Sequence, residues 1–191
     1  MNRRKAIGRI ILAGLGGGIL FSGYKWYDWN KRPELASLGQ HKKLIEALAS
    51  TIIPTTDTPG AKEAGVADYI ITMIRDCTNW MSANRFINGL TEVDHYSRNQ
   101  YNRPYEACTE QEQETILQHF EKTDQPFKGL AGRAEVKFLG KPFFTTLKEY
   151  TIQGYCTSEA GATKGLSYVL IPGSYHGCIT KTPGQPAWAT K

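Results

Sequence analysis

The sequence lacks the motifs that would indicate a chemistry of its own. It contains no C-x-x-C, no C-x-x-C-H haem site, no zinc-type pairing of cysteine and histidine, and no G-x-G-x-x-G loop after a strand. Its four histidines are solitary, and no serine lies in a nucleophile elbow. We therefore predict no catalytic residues, no metal ligands and no cofactor-binding residues in this chain.

The sequence also lacks a basic cluster on its body and an apolar run of full membrane-spanning length. The formal charge is +5, but Arg3, Arg4, Lys5 and Arg9 supply four of these charges, so the remainder carries only +1. Nucleic-acid binding needs clustered lysine and arginine on the folded domain. The sequence therefore predicts no nucleic-acid partner.

What is present begins at the N-terminus, where Arg3 and Arg4 precede an uncharged run over residues 10–24. A membrane span needs roughly 20 apolar residues, and this run is shorter. The arrangement is typical of a twin-arginine export signal, which predicts residues 1–24 as a signal and the periplasm as the destination. The match is partial, and no A-x-A cleavage site follows Phe21. Two alternatives stay open: a retained signal that anchors the chain to the inner membrane, and an ordinary N-terminal anchor.

The body of the chain is helical in pattern. Residues 25–39 read as a linker, and residues 40–191 as one domain in which apolar residues recur at helical spacing. The apolar stripes are Leu44, Ile45, Leu48 and Ile52; Val66, Tyr69, Ile70, Met73, Ile74 and Cys77; Phe86, Leu90, Val93 and Ser97; Ile116, Leu117 and Phe120; and Phe143, Phe144, Leu147, Tyr150 and Gly154. We predict an all-α irregular helical bundle with an extended C-terminal arm and an N-terminal signal or anchor helix.

Local signals mark where some of these elements begin and end. Thr109 and Glu112 form a T-x-x-E capping box, and Pro142 suits the first turn of a helix. Residues 124–132 read as a looser, glycine-rich region. Residues 166–171 are apolar and are compatible with either a short strand or an extended run.

A proline- and glycine-rich segment over residues 51–69 separates the first two helical patterns. Pro54 cannot continue a helix, and Gly60 and Gly65 permit backbone angles closed to other residues. Threonine and aspartate side chains in this segment can bond their own backbone and stabilise turns. We predict a fixed joint. It either sets the angle between two helices or forms part of a partner surface.

This segment carries a family resemblance. IIPTTDTPGAKEAGVADYI, over residues 52–70, resembles the hallmark segment of the gluconate 2-dehydrogenase subunit 3 family. A second block over residues 147–178, LKEYTIQGYCTSEAGATKGLSYVLIPGSYHGC, is similar to the same family. Together with the helical middle, the resemblance covers about residues 40–178.

The resemblance implies a non-catalytic small subunit of a periplasmic, membrane-associated, flavin-dependent sugar or polyol dehydrogenase. FAD would lie in a large subunit with the glucose–methanol–choline (GMC) oxidoreductase fold, with a cytochrome c as candidate electron acceptor. This chain would supply the export signal and a chaperone-like maturation role for the large subunit. The alternative is a free-standing exported anchoring or binding module without a flavoprotein partner.

The resemblance also implies site residues. Four cysteines in an exported chain favour disulfides, and three pairings are possible. The family suggests Cys77 with Cys178, which leaves Cys108 with Cys156; the alternative keeps Cys156 free to bond another subunit. The two irregular blocks predict a partner surface. Its residues are Pro54, Thr55, Thr56, Asp57, Pro59, Gly60, Gly65, Tyr155, Thr157, Ser158, Glu159 and Gly161.

Overall fold

The computed structural model describes residues 31–125, 129–171, 173–174, 177–178, 180 and 183–189. The α-helices in these ranges are α1 (Lys42–Ile52), α2 (Val66–Thr72), α3 (Trp80–Tyr101), α4 (Glu110–Thr123), α5 (Leu130–Leu139) and α6 (Phe143–Thr157). Apart from one isolated bridge, no β-structure occurs in the part of the chain described. The predicted all-α class is confirmed. The predicted signal or anchor helix, with Arg3 and Arg4, lies outside the described residues.

Short helical turns lie between these helices or beside them. Residues Leu35–Gly39 and Tyr105–Ala107 form 3-10 turns, and residues Met73–Cys77 and Gly161–Gly165 form π-helical turns. Across the described ranges, no helix combines the length and the apolar character needed to cross a membrane.

Helix α6 is the central element of the bundle and packs against α1, α2, α3 and α4. Its Leu147 is fully buried, and its Phe143 ring lies 5.4 Å from the ring of Phe86 on α3. The close approach of α3 and α6 depends on Gly89, because a β-carbon there would overlap the Phe143 ring. The core therefore forms around α6, with the apolar stripes of the other helices turned toward it.

Local capping chemistry places the helix starts where the sequence predicts them. In the capping box, Glu112 accepts a hydrogen bond from the Thr109 backbone N–H at 2.8 Å, and the Thr109 hydroxyl accepts one from the Glu112 N–H at 3.4 Å. Helix α6 begins directly after Pro142. The capping box and the proline start are both confirmed.

Three features differ from the sequence-based expectations. Cys77, placed in a core stripe by its spacing, is exposed, because the π-helical turn at Met73–Cys77 breaks the 3.6-residue period. Helix α5 was not predicted, and it begins inside the glycine-rich region of residues 124–132 that was read as loose. Leu38, which falls in the segment read as a linker, is 1% exposed, so the packed body includes the 3-10 turn at Leu35–Gly39.

Candidate partner-binding surface

The fold brings together the two segments that the sequence singles out as a partner surface. Tyr155, near the end of α6, donates a hydrogen bond from its hydroxyl to the carbonyl oxygen of Pro59 at 2.8 Å. The Tyr155 side chain is 8% exposed, so this bond forms largely away from water. The Pro54–Gly65 loop and the end of α6 are therefore held in contact by this bond.

The Pro54–Gly65 loop is held by its own hydrogen bonds. The Ala61 N–H donates to the Ile53 carbonyl oxygen at 2.9 Å, which closes the loop at its base. The Glu63 carboxylate accepts from the Thr55 hydroxyl at 2.8 Å and from the Gly60 N–H at 3.0 Å. The Thr55 hydroxyl, by donating to Glu63, holds the pKa of that carboxyl below its ordinary value.

Two glycines shape this loop for different reasons. Gly65 has φ +67° and ends the loop in the left-handed conformation just before α2. Gly60 has no positive φ, but a β-carbon there would lie 2.6 Å from the Thr55 nitrogen and 2.9 Å from the Ile53 carbonyl oxygen. The sequence analysis expected Gly60 to be needed for its backbone freedom, and this is wrong. Glycine is needed at this position because there is no room for a β-carbon.

The end of α6 is equally close-packed. The Ser158 hydroxyl donates to the Tyr155 carbonyl oxygen at 2.7 Å and accepts from the Gly161 N–H at 3.0 Å. A β-carbon on Gly161 would overlap the Tyr155 carbonyl, and one on Gly165 would overlap the Tyr155 ring hydroxyl. Tyr155 is therefore enclosed by the π-helical turn and fixed against the loop.

The predicted surface residues divide into an outer set and a supporting set. Those that face solvent are Pro54, Thr55, Thr56, Asp57, Gly65, Thr157 and Glu159. Those that are partly or fully covered are Pro59, Gly60, Tyr155, Ser158 and Gly161. The outer set offers hydroxyls and two carboxylates to a partner, and the supporting set holds the two segments together. The role of this surface in partner binding stays a prediction.

An exposed apolar stretch next to this surface was not assigned to it from the sequence. Tyr168, Val169, Leu170 and Ile171 are 43%, 37%, 76% and 80% exposed. We call these four residues the apolar arm. The sequence shows that residues 166–171 are apolar. Apolar runs normally indicate a buried strand or helix, so the sequence provided no reason to expect these residues at the surface.

The structure does not contain the predicted disulfides. All four cysteines lie in described positions, and all four carry free thiols, so neither Cys77–Cys178 nor Cys108–Cys156 is bonded. Cys108 is buried beneath α3, where its Sγ lies 3.2 Å from the Ser97 hydroxyl oxygen. It fills the core as a small apolar side chain, a common role for buried cysteine. Cys77 and Cys178 are both exposed.

Two further polar clusters stabilise the bundle. The buried Tyr105 hydroxyl lies 2.9 Å from the Thr51 hydroxyl, and burial raises the pKa of Tyr105. Asp124 accepts a hydrogen bond at 2.7 Å from the backbone N–H of Phe144, in the first turn of α6, and burial raises the pKa of that carboxyl. Arg85 lies 3.7 Å from Asp124 and donates to the Gly140 carbonyl oxygen at 2.8 Å. These contacts tie neighbouring helices together.

In the described residues, no group of three or more histidine, cysteine, aspartate or glutamate side chains is placed to hold a metal ion. The candidate surface consists of a closed loop, a helix end and the apolar arm.

Comparison with known families identifies the chain. The model of the family described as gluconate 2-dehydrogenase subunit 3 matches residues 39–173, well over half of the sequence. The chain belongs to this family, as its two motif blocks predict. The family description indicates a subunit of a gluconate 2-dehydrogenase complex, with other subunits of that complex as partners. No curated protein and no solved structure matches the chain.

Proposed function

We propose that this chain is the non-catalytic small subunit of a periplasmic, membrane-associated sugar or polyol dehydrogenase. Its partner is a GMC-type large subunit that holds FAD, and a cytochrome c is the candidate electron acceptor. The chain escorts that large subunit through the twin-arginine pathway after it has folded around its cofactor. The observation that carries this proposal is the family match over residues 39–173.

Sequence features of the N-terminus support the export step. Arg3 and Arg4 stand directly before the uncharged run of residues 10–24. Twin-arginine export carries folded proteins, which suits a flavoprotein that binds its cofactor in the cytoplasm. A flavoprotein without its own signal requires an escort that binds it before transport.

The described surface suits this role in its construction. The bond between Tyr155 and Pro59 fixes two family motif blocks against each other. A preorganised surface loses less conformational entropy on binding than a flexible one. We infer that the outward residues of the Pro54–Gly65 loop and the end of α6 contact the large subunit.

The export step is tested with the double substitution Arg3→Lys and Arg4→Lys, which keeps the charge but removes the arginine pair. We expect this chain and the flavoprotein to accumulate together in the cytoplasm, with dehydrogenase activity in that fraction. Activity and flavin content are measured in cytoplasmic and periplasmic fractions of cells that express both proteins.

The matched control is Arg9→Lys, which changes one arginine of the same basic flank outside the pair. Export should then remain at the wild-type level. Normal arrival of the flavoprotein in the periplasm of the double variant would disprove the escort role. That outcome would favour the alternative of an anchoring or binding module.

A further inference from the structure

We propose that the apolar arm, Tyr168–Ile171, inserts into an apolar groove of the flavoprotein large subunit. This inference rests on the proposed function and deepens it, since it names the element that makes the main apolar contact. It adds residues outside the surface that the sequence indicated.

The exposure pattern is the first argument. The chain bends at Leu170 and Ile171, so the end of the arm is not part of a regular strand or helix. All four are exposed, with Leu170 and Ile171 at 76% and 80%. Apolar side chains that pack on the protein's own core would be largely buried. The end of the arm, Leu170 and Ile171, therefore projects away from the core, while Tyr168 and Val169 are partly covered.

The backbone of the arm supports the same conclusion. Ser167, just before it, donates to the Ala187 carbonyl oxygen at 2.8 Å and accepts from the Ala189 N–H at 2.9 Å. This short parallel bridge fixes the base of the arm. Within the described residues, the next backbone bond along this stretch joins Gly173 to Ile171 at 3.0 Å. The bridge at Ser167 therefore holds the base of the arm in place, and the exposed Leu170 and Ile171 follow it in the chain.

The surroundings of the arm distinguish a protein groove from a membrane surface. Between residues 158 and 171 the only charged side chains are Glu159 and Lys164, which cancel. Segments that bind anionic lipid surfaces carry several lysines or arginines next to their apolar residues. A neutral arm with exposed aliphatic side chains fits an apolar protein groove instead.

The family relation indicates that the groove lies on another subunit of the same complex. The matched range, residues 39–173, includes the whole arm, and the family is described as a subunit of a dehydrogenase complex. The arm also continues directly from the π-helical turn Gly161–Gly165, which belongs to the surface already assigned to the large subunit. Under the proposed function that other subunit is the flavoprotein, which is the partner to which the proposal assigns the groove.

The test uses the full chain with a C-terminal affinity tag, expressed in the cells from which the sequence comes, so that its native partner is present. The double variant Leu170→Ser with Ile171→Ser should retain about tenfold less flavin per chain after purification than wild type, because buried aliphatic anchors dominate such contacts. Flavin absorbance and mass spectrometry of the copurified subunit give the ratio.

The matched control is Phe138→Ser with Ile152→Ser, which removes two other exposed apolar side chains, 60% and 46% exposed, from α5 and α6. It should retain the wild-type flavin ratio. Helical circular dichroism of each variant excludes misfolding as the cause of a loss.

A photo-reactive benzoylphenylalanine replacing Leu170 identifies the occupant directly. Cross-linking to the flavoprotein supports the proposal. Cross-linking only to a second copy of this chain or to lipid overturns it, as does wild-type flavin retention by the Leu170→Ser, Ile171→Ser variant. If the wild-type chain itself retains no flavoprotein, the proposed function fails and the inference fails with it.

Discussion

Two irregular regions of the molecule, the Pro54–Gly65 loop and the apolar arm, are built in opposite ways. The Pro54–Gly65 loop is polar and exposed, yet Thr55, Gly60 and Glu63 are bonded to one another within it. The apolar arm is made of side chains that normally enter a core, yet it lies outside and is bonded at its base. The comparison shows that the polarity of a segment does not predict how firmly it is fixed to the fold. Its internal hydrogen bonds and close contacts determine that.

The largest expected effect comes from filling the space at Gly60. In Gly60→Ala the new β-carbon would lie 2.6 Å from the Thr55 nitrogen, a backbone atom that cannot rotate away. We expect the free energy of unfolding to fall by about 1–3 kcal/mol, the usual range for overpacking. Urea denaturation of the purified chain measures this. Gly39→Ala is the control, because nothing lies within 4 Å of its β-carbon. Equal stability of the two variants would show that the loop is not closely packed.

A smaller effect is expected from the bond that joins the loop to α6. Tyr155→Phe removes the hydroxyl that donates to the Pro59 carbonyl oxygen and should cost about 1 kcal/mol. Tyr168→Phe removes a hydroxyl from the apolar arm and should leave stability unchanged within about 0.5 kcal/mol. Thermal and urea unfolding of both variants sharpen the comparison. A larger loss of unfolding free energy for Tyr168→Phe than for Tyr155→Phe would contradict the contrast between the loop and the arm.

The loop should also respond to acid, because Glu63 has a folded-state pKa below its ordinary value of 4.5. Its ionised form therefore stabilises the folded state above that value, and this contribution is lost as the pH falls through the lowered pKa. Glu63→Gln does not titrate, so the stability difference from wild type should narrow on acidification. Urea unfolding of wild type and Glu63→Gln between neutral pH and about pH 3 measures this difference.

The Thr55→Val background isolates the cause of that response, since the Thr55 hydroxyl is the largest contributor to the shift. In this background the pH-dependent difference between glutamate and glutamine at position 63 should be smaller. A difference that stays constant with pH, or that widens on acidification, would contradict the assignment.

The smallest effect is expected in the arm itself. In the isolated chain, Leu170→Ser with Ile171→Ser should change the free energy of unfolding by less than about 0.5 kcal/mol, because both side chains are already in water. Denaturation of the purified chain checks this. A loss above about 1.5 kcal/mol would mean that the arm packs as part of the core and would erase the contrast with the loop.

Features that depend on neighbouring residues could be predicted from the sequence. The T-x-x-E box at Thr109 and the proline before α6 both mark helix starts in the structure. The stripe Phe86, Leu90 and Val93 is fully buried. These predictions hold because capping and helical periodicity operate over three or four residues.

Features that depend on exact geometry were harder to predict. Spacing placed Cys77 in the core, but a π-helical turn moves it to the surface. An even cysteine count favoured disulfides, but Cys108 is enclosed with Ser97 instead. Residue spacing in a sequence does not register one extra residue in a turn, and a cysteine count does not give the distances between sulphurs.

The sequence by itself determined the all-α class, the main helix starts, the irregular Pro54–Gly65 loop and the two family motif blocks. Only the tertiary structure decided that Tyr155 bonds Pro59 across 96 positions of the chain, and that Leu170 and Ile171 stay outside the core. The physical reason is range. Helix capping and apolar periodicity are settled by residues within a few positions, whereas the pairing of distant segments depends on how all the helices pack around α6.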